Sequence, residues 1–206
     1  MSARKLLVAS GNRGKIDELR TLLSKLGLEV IGPDELPGPV PECVEDGGSF
    51  CENARKKARH WHSHTGMACV ADDSGLEVKA LGGAPGIYSA RFAGENATDR
   101  ENNDLLLKKT AGLEKQERKA RFVCCLALCS QDGSIRTFTG YCNGSLSAEP
   151  LGAEGFGYDP LFYYPPLKAT FAQVGAEEKN KVSHRARALD KLHRHLSESG
   201  LQEKNT

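Results

Sequence analysis

Nothing in this 206-residue chain approaches the ~18 consecutive apolar residues that a membrane-spanning helix needs; the longest apolar run is Phe122 to Cys129. The hydrophobic segment near the N-terminus, Leu6 to Ala9, is too short for a secretory signal and reads as a first strand. An excess of either charge is also missing. The 28 Lys and Arg are matched by 27 Asp and Glu, so a polybasic nucleic-acid binder is excluded, while a local basic site is not. Seven cysteines (43, 51, 69, 124, 125, 129 and 142) include no C-x-x-C pair and their number is odd. That argues against a zinc ribbon or a disulfide framework and leads us to expect small buried thiols in a reducing cytoplasm. Repeats, low-complexity tracts and composition breaks are absent too, so residues 1–206 read as a single domain.

What is present is ordinary folding material. Hydrophobic residues at 39% and charged residues at 27% are too apolar and too balanced for a disordered chain. Lys5 to Ala9 is a buried strand followed by turn chemistry. From Gly14, apolar residues recur at helical spacing to Leu26, with Gly27 as the stop, and Leu28 to Ile31 is a second strand. This opening is a β-α-β unit, which implies parallel pairing. Ser49 and Glu52 fit a capping box for a helix to His64. Ala68 to Ala71 reads as a strand ending at Asp72-Asp73-Ser74-Gly75, with another strand from Leu76 to Leu81. Thr98 to Lys109 is a helix with acids in its first turn and lysines in its last. Asp132-Gly133 marks a hairpin between Arg121–Ser130 and Ser134–Asn143, so the sheet is mixed. Ala176 to Leu196 reads as one long helix, and residues 200–206 as a frayed tail. The fold class is therefore α/β.

Four polar clusters carry candidate chemistry. Ser10-Gly11-Asn12-Arg13-Gly14-Lys15 lies between a strand and a helix, where unpaired N–H groups attract anions and glycine lets a phosphate come close. It is not a Walker A loop, because Ile16 follows the lysine and the glycine spacing differs. Its plainer reading is an ordinary strand-to-helix turn. Asp72-Asp73 at a strand end stands where open α/β sheets bind ligands, and two adjacent carboxylates ionise together readily only beside a cation such as Mg²⁺. Its plainer reading is a solvated Asp turn. Glu45-Asp46-Gly47-Gly48 is a second acidic loop, either a metal ligand or a favourable helix start. The fourth cluster pairs the Gly155-Phe156-Gly157-Tyr158-Asp159 loop with a basic C-terminal helix, in which six basic residues face three acidic ones from Ala176 to His195. Most of those charges read as a solvated face. The His60-Trp61-His62-Ser63-His64 tract places only His60 and His64 on one helix face, which is poor metal geometry.

Together the clusters resemble the non-canonical purine nucleoside triphosphate pyrophosphatases, which hydrolyse ITP, dITP and XTP. The resemblance runs from about Leu6 to Leu196. It rests on Ser10 to Lys15, Ser49-Phe-x-Glu-Asn-Ala54, Ala71 to Gly75, Gly82-Gly-Ala-Pro-Gly-Ile-Tyr-Ser-Ala-Arg91, Gly155 to Pro160 and Glu178-Lys-Asn-Lys-Val-Ser-His-Arg185. It implies an elongated mixed twisted sheet flanked by helices, with two lobes and the active-site cleft between them, in a Mg²⁺-dependent homodimer. It implies that Ser10, Gly11, Asn12, Arg13, Gly14 and Lys15 hold the triphosphate. Glu45 and Asp73 would bind metal, with Asp73 also the general base. Ser74, Phe156, Gly157, Tyr158, Asp159, Lys179, His184 and Arg185 would contact substrate. The implied partner is a purine nucleoside triphosphate, with neither nucleic acid nor membrane. Two other readings stay open: a canonical or dUTP-type pyrophosphatase, and a nucleotide-binding module without turnover.

Overall fold

The computed structural model describes residues 5–24 and 28–198. Seven strands form one sheet in the order β2-β1-β3-β4-β5-β6-β7. β1 (Lys5–Ala9) pairs in parallel with β2 (Glu29–Ile31) and with β3 (Cys69–Val78), whereas β6 (Phe162–Tyr164) pairs antiparallel with β5 (Ile135–Leu146) and with β7 (Ala169–Thr170). The sheet is thus mixed, as the Asp132-Gly133 signal requires. β4 (Lys119–Cys129) is joined to β5 by a turn in which the Ser130 N–H donates to the Ser134 carbonyl. The chain falls into two compact units. The first comprises the residues up to 73, 124–140 and those from 185 on; the second comprises 74–123 and 141–184.

The first unit is built on the parallel strands. Helix α1 (Arg13–Ser24) buries Leu19 and Leu23, and these meet Leu6, Val8, Val70, Leu126, Leu189 and Leu192 in one apolar cluster. Each fully buried leucine contributes about 1.5–3 kcal/mol of transfer free energy. Helix α2 (Phe50–Thr65) starts at Ser49, whose hydroxyl accepts the Glu52 N–H, and ends at Gly66 in the left-handed region. Only half of the expected capping box forms, because the Glu52 carboxylate takes the Gly48 N–H instead. The end expected for α1 at Leu26-Gly27 lies outside the described residues, as does the 200–206 tail.

The second unit has an aromatic core. Phe122, Phe162 and Phe171 cluster with centroids 4.5–6.0 Å apart, joined by Leu76, Leu106, Tyr158 and Leu161. Helix α3 (Asp99–Thr110) begins with a complete capping box between Thr98 and Glu101.

Three expectations are corrected. Asp72 and Asp73 do not follow a strand; they lie inside β3, which continues to Val78. The pairing of β3 with β1 does stop at Ala71 opposite Ala9, so the acids begin where one neighbour ends. The strand expected to reach Leu81 instead turns into a 3₁₀ segment, Lys79–Leu81, that Gly82 terminates at positive φ. The long C-terminal helix is two: α4 (Ala176–Val182) and α5 (His184–Glu198), separated by Ser183 in an extended conformation (φ −66°, ψ 163°). Lys181 and Arg185 therefore do not share a helix face. A fourth correction concerns the thiols. Cys51 on α2 and Cys125 on β4 form a disulfide, with Cα atoms 5.3 Å apart. Sequence spacing could not show this, because the partners lie 74 residues apart and meet only through packing.

Candidate active site

In the first unit, β1 delivers the chain to a tight turn. The Ser10 hydroxyl accepts the Asn12 N–H at 3.2 Å, and Asn12 Oδ1 accepts the Lys15 N–H at 3.0 Å. Asn12 thus caps α1, satisfying one N–H of the first turn. A Cβ on Gly11 would meet nothing within 4 Å, so that face of the loop is open space. Arg13 is exposed and Gly14 half-buried. Lys15 reaches inward to Asp72 Oδ1 at 2.9 Å. Burial works against its charge, but Asp72 and Asp73 outweigh that and hold the ammonium above its usual pKa.

The two adjacent acids have different surroundings, since successive side chains of a strand point to opposite faces. Asp72 is fully buried and heavily bonded. It takes Lys15 on one oxygen and, on the other, Arg185 Nε at 2.8 Å and the Cys124 thiol at 3.1 Å. Asp73 is 7% exposed, and its Oδ2 is buried with no hydrogen-bond partner. Burial raises its pKa, Lys15 and Lys57 partly offset that, and Glu45 and Asp72 add to it.

Glu45 belongs to this neighbourhood. Its carboxylate meets Lys57 Nζ at 2.8 Å, and Lys57 also donates to the Asp72 carbonyl at 3.2 Å. The loop after Glu45 is pinned by the Gly47 N–H on Asn53 Oδ1 (2.7 Å) and the Gly48 N–H on Glu52 (2.7 Å). Among the described residues no group of three or more His, Cys, Asp or Glu forms a self-sufficient metal site. A hard cation that keeps waters and substrate phosphates needs only one or two carboxylates. The unbonded Asp73 Oδ2 beside the half-buried Glu45 fits that donor set.

The second unit holds Ser74, Phe156, Gly157, Tyr158, Asp159, Lys179 and His184. The aromatic loop turns through Gly155 and Gly157, both at positive φ. Five contacts fix it. Asp159 Oδ2 accepts the Phe156 N–H at 3.0 Å and pairs with Lys179 at 2.5 Å. Asp99 accepts the Gly157 N–H at 2.6 Å, and Asn103 donates to the Gly157 carbonyl at 2.9 Å. The Tyr158 hydroxyl donates to the Ser89 carbonyl at 2.8 Å, which links this loop to the Gly82–Arg91 segment. Lys179 Nζ also lies 4.7 Å from the Phe156 ring centroid, in cation–π range. His184 is stacked on Phe122 at 4.6 Å, nearly parallel.

Arg185 is in the first unit and 1% exposed, with its guanidinium on Asp72 and Glu18. Glu18, Cys124, Ser89, Asp99 and Asn103 were not recognised from sequence as site residues. Only Asp99 and Asn103 gave a usable signal: they are four apart on a helix and so share one face.

An α/β chain with an open turn after β1, a buried acid pair on β3 and a basic C-terminal segment is consistent with the class of nucleotide pyrophosphatase hydrolases. Residues 6–195 match the Ham1 family, and this chain belongs to it. It is 49% identical over 187 residues to a dITP/XTP pyrophosphatase of Desulforamulus reducens, covering 91% of this chain and 92% of that one. It is 46% identical over 198 residues to a dITP/XTP pyrophosphatase of Geobacter sulfurreducens, covering 96% and 99%. Among solved structures, the Ham1 protein of Staphylococcus aureus matches with a TM-score of 0.83 at 39% identity, over 95% of this chain and all of that one. A dITP/XTP pyrophosphatase from Mycobacterium abscessus matches with a TM-score of 0.73 at 43% identity, covering 91% and 98%. The family expectation drawn from the six sequence segments is borne out.

Proposed function

We propose that this protein hydrolyses non-canonical purine nucleoside triphosphates (ITP, dITP and XTP) to the nucleoside monophosphate and pyrophosphate, removing them before they enter DNA or RNA. The observation that carries this is the contrast among the clustered acids of the first unit. Asp72, Glu18 and Glu45 are each held by lysine or arginine, whereas Asp73 presents a buried oxygen with no partner. A desolvated carboxylate with a raised pKa is suited to take a proton.

Asp73 orients a water toward the α-phosphorus and accepts its proton. The new P–O bond forms as the bond from the α-phosphorus to the bridging oxygen breaks, and pyrophosphate leaves with that electron pair. Lys15 and the open loop at Gly11 neutralise the polyphosphate, and Lys57 stands beside Glu45 to help. Mg²⁺, held by Glu45 and Asp73, would supply charge neutralisation of the phosphates.

Base selection belongs to the second unit's groups. Phe156 offers a stacking face, and Ser74, Gly157, Tyr158, Asp159, Lys179 and His184 would contact the substrate from this unit. Hypoxanthine and xanthine carry an acceptor at O6 where adenine carries an amino group. Donors aimed there accept the first and leave a buried group unpaired against the second. Arg185 as a base donor competes with its hold on Asp72 and Glu18. We further propose a homodimer working in the cytoplasm, where nucleoside triphosphates are made and used.

The experiment is incubation with Mg²⁺ and each of ITP, XTP, dUTP, GTP and ATP, with product identification. Monophosphate and pyrophosphate from ITP and XTP are expected. A nucleoside diphosphate with inorganic phosphate, or equal rates with ATP, would overturn the reading. Preference for dUTP would replace the substrate class, and binding without turnover would leave a non-catalytic module.

A further inference from the structure

Glu18 has no role in the chemistry above, yet it sits in the same charge cluster. It follows Lys15 by three residues on α1, so both project from one helix face. Lys15 binds one oxygen of Asp72 at 2.9 Å. Arg185 binds the other at 2.8 Å through Nε, reaches the Lys15-bound oxygen more weakly through Nη2 at 3.5 Å, and gives Nη1 to Glu18. The four side chains alternate in sign (Lys15, Asp72, Arg185, Glu18) and close a circuit that begins and ends on α1. Their side-chain exposures are 15%, 0%, 1% and 12%, respectively. Solvent screens such a cluster little, so each charge feels the loss of any other.

We propose that Glu18 is a positioning residue for Lys15, acting through Arg185 and Asp72, and that Arg185 serves the polyphosphate side of the reaction in this way. With Glu18 in place, the Arg185 guanidinium is shared between two carboxylates, and its reach to the Asp72 oxygen that Lys15 binds is long, Nη2 to Oδ1 at 3.5 Å. Without it, the pull of Arg185 falls more heavily on Asp72. That carboxylate turns from Lys15, and the flexible ammonium leaves its place at the start of α1. A positively charged side chain that is misplaced weakens every nucleotide alike, because the phosphates are common to all of them. The inference rests on the triphosphate reading of the site, and an inorganic probe tests it separately.

The experiment compares wild type with Glu18→Gln, Arg185→Lys and the double variant. It measures inorganic tripolyphosphate binding by calorimetry, and kcat and KM for ITP and ATP. Glu18→Gln is expected to weaken tripolyphosphate binding about tenfold and to raise KM for both nucleotides by a similar factor, with kcat changed less and the ITP:ATP ratio unchanged. Arg185→Lys should follow the same pattern, and the double variant should be no worse than the poorer single one. Glu18→Asp should recover part of the binding, and it also carries the test if Glu18→Gln does not fold. Unchanged tripolyphosphate binding in a folded Glu18 variant overturns the proposal. So does an Arg185→Lys protein that loses ITP:ATP discrimination while binding tripolyphosphate normally, since that makes Arg185 a reader of the base. A wild-type protein that binds tripolyphosphate but does not hydrolyse ITP would sink the functional reading while leaving the positioning of Lys15 open to the same binding comparison.

Discussion

Lys179 Nζ lies 2.5 Å from Asp159 Oδ2, and both side chains are almost wholly buried, at 4% and 2% exposure. The pair ties α4 to the aromatic loop, because the same carboxylate oxygen also takes the Phe156 N–H. Removing one member of a buried pair strands the other charge, which costs about 3–5 kcal/mol. Asp159→Asn should therefore lower the unfolding free energy in urea by about 3 kcal/mol. Lys181, which pairs with Glu177 and Glu178 on the surface of the same helix, is the control: Lys181→Met should leave the urea midpoint unchanged. Equal effects of the two substitutions would mean that burial does not set the strength of the Lys179–Asp159 pair.

Asp73→Asn separates activity from stability. Loss of a general base costs at least ~10²-fold in turnover. Burial has raised the pKa of this carboxyl, so its charged form is disfavoured in the folded state. The sign follows from proton linkage. Asp73 costs nothing below the unfolded carboxyl range near pH 4, and its cost grows as pH rises from there to the folded value and is constant above it. In metal-free buffer at neutral pH, Asp73→Asn should thus melt at or above the wild-type temperature. Added Mg²⁺ should raise the melting temperature of the wild type and not of the variant. A variant that is both active and responsive to Mg²⁺ would remove Asp73 from the chemistry.

The disulfide gives a third expectation. A crosslink between residues separated by 74 positions removes denatured-chain entropy worth about 4 kcal/mol. Alkylation in denaturant without reductant should label five thiols, those of Cys43, Cys69, Cys124, Cys129 and Cys142. Prior reduction should expose all seven and lower the denaturation midpoint. Seven labelled thiols in the unreduced protein would show that Cys51 and Cys125 are not joined.

How much of this was legible in the sequence depends on the range of the interaction. The Thr98–Glu101 box, the Ser49 cap, the β1-α1-β2 opening and the Asp132-Gly133 turn are encoded within a few residues, and each appears where local chemistry places it. Periodicity failed at Ser183. The apolar spacing runs on unbroken across that residue, but the backbone does not. It failed again at Asp72, where two carboxylates look like loop residues until Lys15 and Arg185 arrive from 57 and 113 positions away. The roles of Glu18, Ser89 and Cys124 are of this second kind, because their partners are set by tertiary packing alone. Residue type and spacing were enough to mark the Asp72-Asp73 pair, the Glu45-Asp46 loop and Lys15 as candidates, and the family resemblance singled out Asp73 and Glu45. They could not show that Asp72 is the bonded member of the acid pair and Asp73 the one with an unbonded oxygen.

Gly75, two residues past Asp73, tests how closely the second unit is built around that motif. A Cβ there would lie 2.6 Å from the Gly86 carbonyl oxygen and would also strike Ser89. Gly86 and Ser89 belong to one 3₁₀ segment, Gly86–Arg91. The Ser89 hydroxyl donates to Gly86 O (2.7 Å) and accepts the Leu76 N–H (2.9 Å), and its carbonyl accepts from Tyr158. A methyl group at position 75 must therefore displace backbone, not the end of a flexible side chain. Overpacking of this kind costs about 1–3 kcal/mol. Gly75→Ala is expected to lose that much in urea unfolding and to raise KM for ITP, because the Ser89–Tyr158 bond moves with the segment and carries the aromatic loop with it. Gly112→Ala, where a Cβ meets nothing within 4 Å, should change neither quantity. If Gly75→Ala behaved like Gly112→Ala, the Gly86–Arg91 segment would have to be free to yield, and its hold on the aromatic loop could not be what positions Phe156.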